Sequence, residues 1–83
     1  MELKAVQSSN LNAIGYDPTD SILFIQFKNG IIYRYFGVPS DVYETLMSSQ
    51  SRGNYFNKFI RNRFETEKIN VISQLLPPKG GSL

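Results

Sequence analysis

The chain has 83 residues, a formal charge of +2, and neither cysteine nor histidine. That length allows one small domain with a modest core, and the missing residue types remove disulfides, Cys-ligated zinc, thiol nucleophiles and the commonest general base and metal ligand. Most enzyme classes are therefore not expected, nor is a metal or cofactor, and the mild charge falls short of a dedicated duplex-DNA binder. No apolar run approaches the roughly 20 residues needed to span a bilayer, and Met1-Glu2-Leu3-Lys4 lacks the apolar region of a signal peptide. A soluble cytoplasmic protein is expected.

Taken in chain order, Ser8-Ser9-Asn10 is a polar cluster that satisfies local backbone groups, or else Ser8 and Ser9 line one pocket with the Ser51 turn. Leu11–Tyr16 reads as a strand leading into the turn Asp17-Pro18-Thr19-Asp20. Ile22–Phe27 is apolar on nearly every position, which predicts a central strand covered on both faces. Lys28-Asn29-Gly30 then signals a hairpin, and Ile31–Phe36 returns antiparallel with Tyr33 and Tyr35 on one face and Arg34 on the other. Gly37-Val38-Pro39 ends the sheet, and Ser40-Asp41 opens a short helix whose Val42, Tyr43, Leu46 and Met47 share a face.

The next segment, Ser51 to Phe64, reads as a second helix with Ser51 as N-cap and an apolar stripe of Tyr55, Phe56, Phe59, Ile60 and Phe64. Four cations, Arg52, Lys58, Arg61 and Arg63, lie along it. Gly53, close to the helix start, permits near approach to the backbone, and the unpaired amides and dipole there attract negative charge, so Ser51-Arg52-Gly53-Asn54 is a candidate anion site. The bland reading is an ordinary cap. On a helical wheel of about 100° per residue, Arg52 and Arg63 project into the apolar stripe, where a buried cation needs a partner, so either end-fraying exposes these two arginines or they face a ligand or another subunit. Lys58 and Arg61 lie off that stripe, on what geometry alone makes a solvated face. No nucleophile–base pair is visible among the few carboxylates, so no catalytic residue is assigned.

Residues 69–76 are apolar and fit either a strand or a helical turn, and residues 77–83 carry Pro-Pro and Gly-Gly and suit a mobile tail. The expected fold is α+β: a three-stranded antiparallel meander followed by two packing helices over residues 1–68, then a short extension that is a candidate oligomerisation element.

The ordered set Val6-x-Ser8-Ser9, Ile14-Gly15-Tyr16-Asp17, Phe27-x-x-Gly30, Tyr33-x-Tyr35, Val38-Pro39, Tyr43, Ser51-x-Gly53, Tyr55-Phe56-Asn57 and Ile60-Arg61 resembles the KTSC domain. That family is named for an appendage at the C-terminus of some lysyl-tRNA synthetases and also occurs as small stand-alone proteins in bacteria and phages. The resemblance implies a β-meander followed by helices and an RNA-related context. Many members carry Lys after the helix-start glycine, where this chain has Asn54, so Arg52 is the substitute candidate for a phosphate grip.

Together these readings predict a non-enzymatic module for a phosphate-bearing nucleotide. Its candidate ligand contacts are Ser8, Ser9, Tyr33, Tyr35, Ser51, Arg52, Gly53, Asn54, Phe56, Asn57, Arg61 and Arg63, with tyrosine stacking on a base and arginine on phosphate. A domain this small is expected to complete such a site as a homo-oligomer. A phage sponge for a nucleotide immune signal, an ADP-ribose derivative or a cyclic oligonucleotide, fits this reading. The alternatives are an RNA-binding accessory domain and an assembly module without a nucleotide site.

Overall fold

The computed structural model describes residues 2–69. Five antiparallel strands, β1 (Lys4–Ala5), β2 (Leu11–Asp17), β3 (Ile22–Phe27), β4 (Ile32–Phe36) and β5 (Thr66–Ile69), lie in sequence order across one sheet, with α1 (Ser40–Ser48) and α2 (Arg52–Phe59) between β4 and β5. The α+β class is as expected, but the sheet has five strands where three are legible in sequence. The two extra strands are edges, β1 of two exposed residues and β5 of four residues of which Thr66, Glu67 and Lys68 are exposed. Such short, charged edges carry no alternating pattern. Ile69 belongs to β5, so the division expected after residue 68 falls inside a strand; residues 70–83, and with them the proposed extension and tail, lie outside the described residues.

Turn chemistry sets the meander. Asp17 Oδ1 accepts from the backbone N–H groups of Thr19 and Asp20 at 3.0 and 3.4 Å, closing the β2–β3 turn. At the β3–β4 turn the Gly30 N–H donates to the Phe27 carbonyl at 2.9 Å, with Gly30 at φ +90° and Asn29 at negative φ. This is a type I turn with a glycine bulge rather than the two-residue form in which both central residues have positive φ.

Register places Ile14, Leu23, Ile25, Tyr33 and Tyr35 on one sheet face. Leu46 of α1 and Phe56 and Ile60 from α2 and its end join them in the core, all three fully buried. The opposite face carries Ile22, Phe24, Gln26, Arg34 and Phe36, none of which joins that core. The apolar run of β3 therefore reflects one face in the core and one outside it; the helices do not cover both sides. On the outer face Arg34 forms an ion pair with Glu67 across β4 and β5 and lies over the Phe36 ring.

The second helix is shorter than its apolar stripe suggests. It ends at Phe59, Ile60 leaves helical geometry at φ −123°, and the N–H groups of Ile60 and Arg61 both donate to the Phe56 carbonyl. Ile60 still reaches the core and Phe64 packs against its edge, but through a turn rather than a continuing helix. For Arg63 the wheel placement does not apply and the exposed alternative holds: the chain has left the helix, and Arg63 is exposed.

A candidate nucleotide cleft beside the second helix

The helix start is occupied by the protein's own chain. A Cβ on Gly53 would lie 2.5 Å from Asn10 Oδ1 and 3.3 Å from Ser8 Oγ, so the close approach that glycine permits is taken by the loop before β2. Ser8 Oγ donates to Asn10 Oδ1 and accepts from the N–H groups of Asn10 and Leu11. Ser51 provides no side-chain cap, and Arg52 donates from Nη2 to the Met47 carbonyl at 2.7 Å, tying α2 to the last turn of α1. Arg52 is a clamp between helices. Phe56, at 0% exposure, meets Phe27 and Tyr35 edge-on and belongs to the core, not to a ligand surface. Ser51, Asn54 and Asn57 are exposed, and Asn57 accepts from Arg61 Nη1 at 3.2 Å.

A cleft of about 620 Å³ opens instead toward the other end of α2. Its aromatic lining comes from Phe27 at the end of β3 and from Tyr33 and Tyr35 on β4. One wall is built by Ser9 and Asn10 with Lys28 and Asn29 of the hairpin tip; the other by Arg61 and Asn62 after α2 with Thr66 of β5. The first wall is fixed by the Lys28 N–H donating to the Asn10 carbonyl at 3.1 Å. Of the expected ligand contacts, the structure thus gathers Ser9, Tyr33, Tyr35 and Arg61. Ser8, Ser51, Arg52, Gly53, Asn54, Phe56, Asn57 and Arg63 do not line it.

Six lining residues are not among the expected ligand contacts. Lys28 and Asn29 carry a usable signal, since a hairpin tip lies beside the strand that bears Tyr33. Phe27 is indistinguishable in sequence from the core residues of β3. Asn10, Asn62 and Thr66 are brought in by long-range packing and pairing, Thr66 lying opposite Tyr35 across an unforeseen strand.

The cleft holds two cations and no carboxylate among its lining residues. Tyr35 is only 4% exposed, and burial pushes its phenol above the ordinary value, opposed by its contact with the Thr66 hydroxyl and by the charge of Arg61, with Tyr33 adding a small rise. Tyr35 is therefore a neutral phenol in the cleft at physiological pH. Tyr33 meets the Phe27 ring edge-on at 5.6 Å, which leaves an aromatic surface between the two walls. Cationic walls, flat rings and neutral amides and hydroxyls suit an anion attached to a planar ring. The volume is supplied by one chain, so a second copy is not required to create it.

Fold and cleft define a small single-sheet domain with a surface depression bordered by a hairpin and a helix end. The chain belongs to the KTSC domain family, which it matches over residues 7–64. It is 41% identical over 61 residues to an uncharacterized protein of Stutzerimonas stutzeri, covering 74% of this chain and 86% of that one. It is likewise 41% identical over 64 residues to a lysine–tRNA ligase of a Nostoc species, spanning 77% of this chain but 11% of the ligase. The crystal structure of a KTSC domain protein from Yersinia pestis superimposes with a TM-score of 0.78 at 39% identity, covering 82% of this chain and 96% of that one. No described helix is long and apolar enough to cross a membrane.

Proposed function

We propose that the protein is a non-enzymatic binding module for a phosphate-bearing nucleotide, held in the cleft between the hairpin and the end of α2. The observation that carries this reading is the lining itself: two cations and three aromatic rings, with no carboxylate, around about 620 Å³. Sites that bury a small ligand commonly run to about 300–1,000 Å³. Arg61 is the candidate phosphate contact because a guanidinium forks onto phosphate oxygens, and Tyr33 is the candidate stacking ring because it is partly exposed where Tyr35 is buried. Binding without turnover is consistent with a sponge that sequesters a nucleotide signal, in a host cytoplasm if the copy is phage-encoded, with a second copy closing over the cleft.

Thermal unfolding with mononucleotides, ADP-ribose derivatives, cyclic oligonucleotides and short RNA at matched salt tests it. A ligand at 100 times its Kd adds about 2.7 kcal/mol and raises Tm by more than roughly 10 °C for a domain of this size. The ligand should be recovered intact; a converted product would mark an enzyme. The second reading, an RNA-binding accessory, is favoured by the homologous segment in lysine–tRNA ligases. It predicts an affinity that falls steeply with salt, where an enclosed small ligand responds less. A panel without any shift would leave an assembly module as the better account.

A further inference from the structure

The face of α2 turned away from the core carries an aromatic ring that the core does not take up. Phe59 shares the apolar spacing of Phe56 and Ile60, but those two are fully buried while Phe59 is 50% exposed. Among the described residues it is the one large apolar side chain left exposed. Its ring is backed by Tyr55, one turn earlier at the edge of the core, with centroids 4.9 Å apart and planes tilted by 39°. Packing thus holds the ring in place and leaves it open to solvent.

The surroundings of this ring have one sign of charge. Besides Phe59, every exposed side chain from residue 54 to residue 63 is either an asparagine or a cation, and no carboxylate lies between Ser51 and Phe64. Lys58, Arg61 and Arg63 are exposed, and none is in an ion pair among the described residues. The first carboxylate beyond them, Glu65, is exposed just before β5. The whole chain carries only +2, so this segment of four cations without an acid is opposite in sign to the remainder. Such an excess complements a polyanion, and it disfavours a second copy docking symmetrically here, which would bring like charges together. An anionic bilayer is a poor fit, because Phe56 and Ile60 are committed to the core and leave Phe59 alone to insert.

From this combination we infer that the outer face of α2 and the turn after it bind a single strand of nucleic acid, with a base stacked on Phe59 and phosphates drawn by the neighbouring cations. A single strand presents base faces that a duplex keeps stacked, and an aromatic ring beside cations holds such a strand without reading its sequence. The surface is separate from the proposed nucleotide cleft: Lys58, Phe59 and Arg63 do not line that cleft, and Arg61 is the one cation common to both.

Fluorescence anisotropy of the full chain tests it, with oligo-dT and oligo-rU of about ten nucleotides, a duplex of equal length, polyglutamate and phosphatidylserine vesicles as probes. A single strand should bind about ten-fold or more tightly than the duplex and polyglutamate, and its affinity should fall as salt rises. Phe59→Ala and Phe59→Leu should each weaken that binding about ten-fold, while Phe59→Tyr keeps it, because only tyrosine retains a stacking ring. Lys58→Ala and Arg63→Ala should each make the slope of log affinity against log salt shallower by about 0.7. Unfolding midpoints without ligand verify that every variant is folded, and mononucleotide binding in the cleft should be the same in Phe59→Leu as in wild type. Equal binding of duplex, polyglutamate or vesicles, or wild-type affinity in Phe59→Leu, would overturn the single-strand assignment. So would strand binding that only Arg61→Ala weakens, which would place the strand in the cleft. Binding of neither strand would overturn it as well, whatever the mononucleotides do.

Discussion

The start of α2 and the turn beyond its end are both polar and basic, yet the protein uses them differently. At the start, Gly53 admits the Ser8 and Asn10 side chains and Arg52 is spent on the Met47 carbonyl. Beyond the end, Arg61 and Asn62 line a cleft together with Lys28, and the side-chain hydrogen bond of Arg61 is to the exposed Asn57. A helix start that looks open to an anion is filled here by the side chains of a neighbouring loop, which pack against its glycine. The cations that remain open to a ligand in the cleft belong to turns, where main-chain acceptors satisfy the backbone N–H groups and the side chains stay exposed.

The sharpest way to break this contrast is at the core between the two ends. Phe56→Ala should cost about 3–5 kcal/mol in denaturant unfolding, a large part of the stability of so small a domain, because it empties a fully buried aromatic site. Asn57→Ala, one residue on and exposed, should cost less than about 0.5 kcal/mol. Similar costs for the two would contradict the placement of Phe56.

The arginines sharpen the comparison next. Arg52→Ala should destabilise by about 1–3 kcal/mol through loss of its charged hydrogen bond to the α1 carbonyl, with ligand affinity unchanged in the fraction that remains folded. Arg61→Ala should do the reverse, keeping stability within about 0.5 kcal/mol and weakening nucleotide binding. Chemical denaturation and calorimetry on both variants separate the roles, and an affinity loss confined to Arg52→Ala would return the site to the helix start.

The cleft floor has a pH signature. Tyr35 is raised above its unfolded value near 10, so the folded state holds its proton more tightly; the associated stability is present below about pH 10 and is lost as pH rises through the folded value. Denaturation of wild type and Tyr35→Phe between pH 8 and 11 should show a downward slope in wild type that is reduced in the variant. An unchanged slope would mean that Tyr35 does not control it.

The smallest effect is expected at Gly53. A methyl group there pushes the end of the Asn10 side chain, while alanine gains helix propensity, and the two should nearly cancel to within about 1 kcal/mol. Asn10 lines the cleft, so Gly53→Ala should change ligand affinity more than stability. A crystal structure of the variant with Asn10 unmoved would remove that link.

Sequence legibility follows the range of the interaction. The turns at Asp17-Pro18 and Asn29-Gly30 are written in residues that set their own backbone, and period-two spacing puts Tyr33 and Tyr35 on a common face. The false extension of α2 to Phe64 has a physical source: Ile60 and Phe64 keep helical spacing, and both do contact the core, but a tight turn brings Phe64 there. Nothing local marks β5, because its charged residues become a strand only by pairing with β4 thirty residues earlier.

By itself, then, the sequence determined the α+β class, the hairpins, the tyrosine face and a chemistry of cations and aromatics without thiol or imidazole, since each depends on residue type and spacing of a few positions. Which cations face a ligand was decided only by tertiary structure. Lys28 meets Asn10 across 18 residues, Thr66 meets Tyr35 across 31, and Gly53 is covered by a loop more than 40 residues away. Whether a polar group is spent on the fold or left for a partner depends on which distant acceptor packing brings to it.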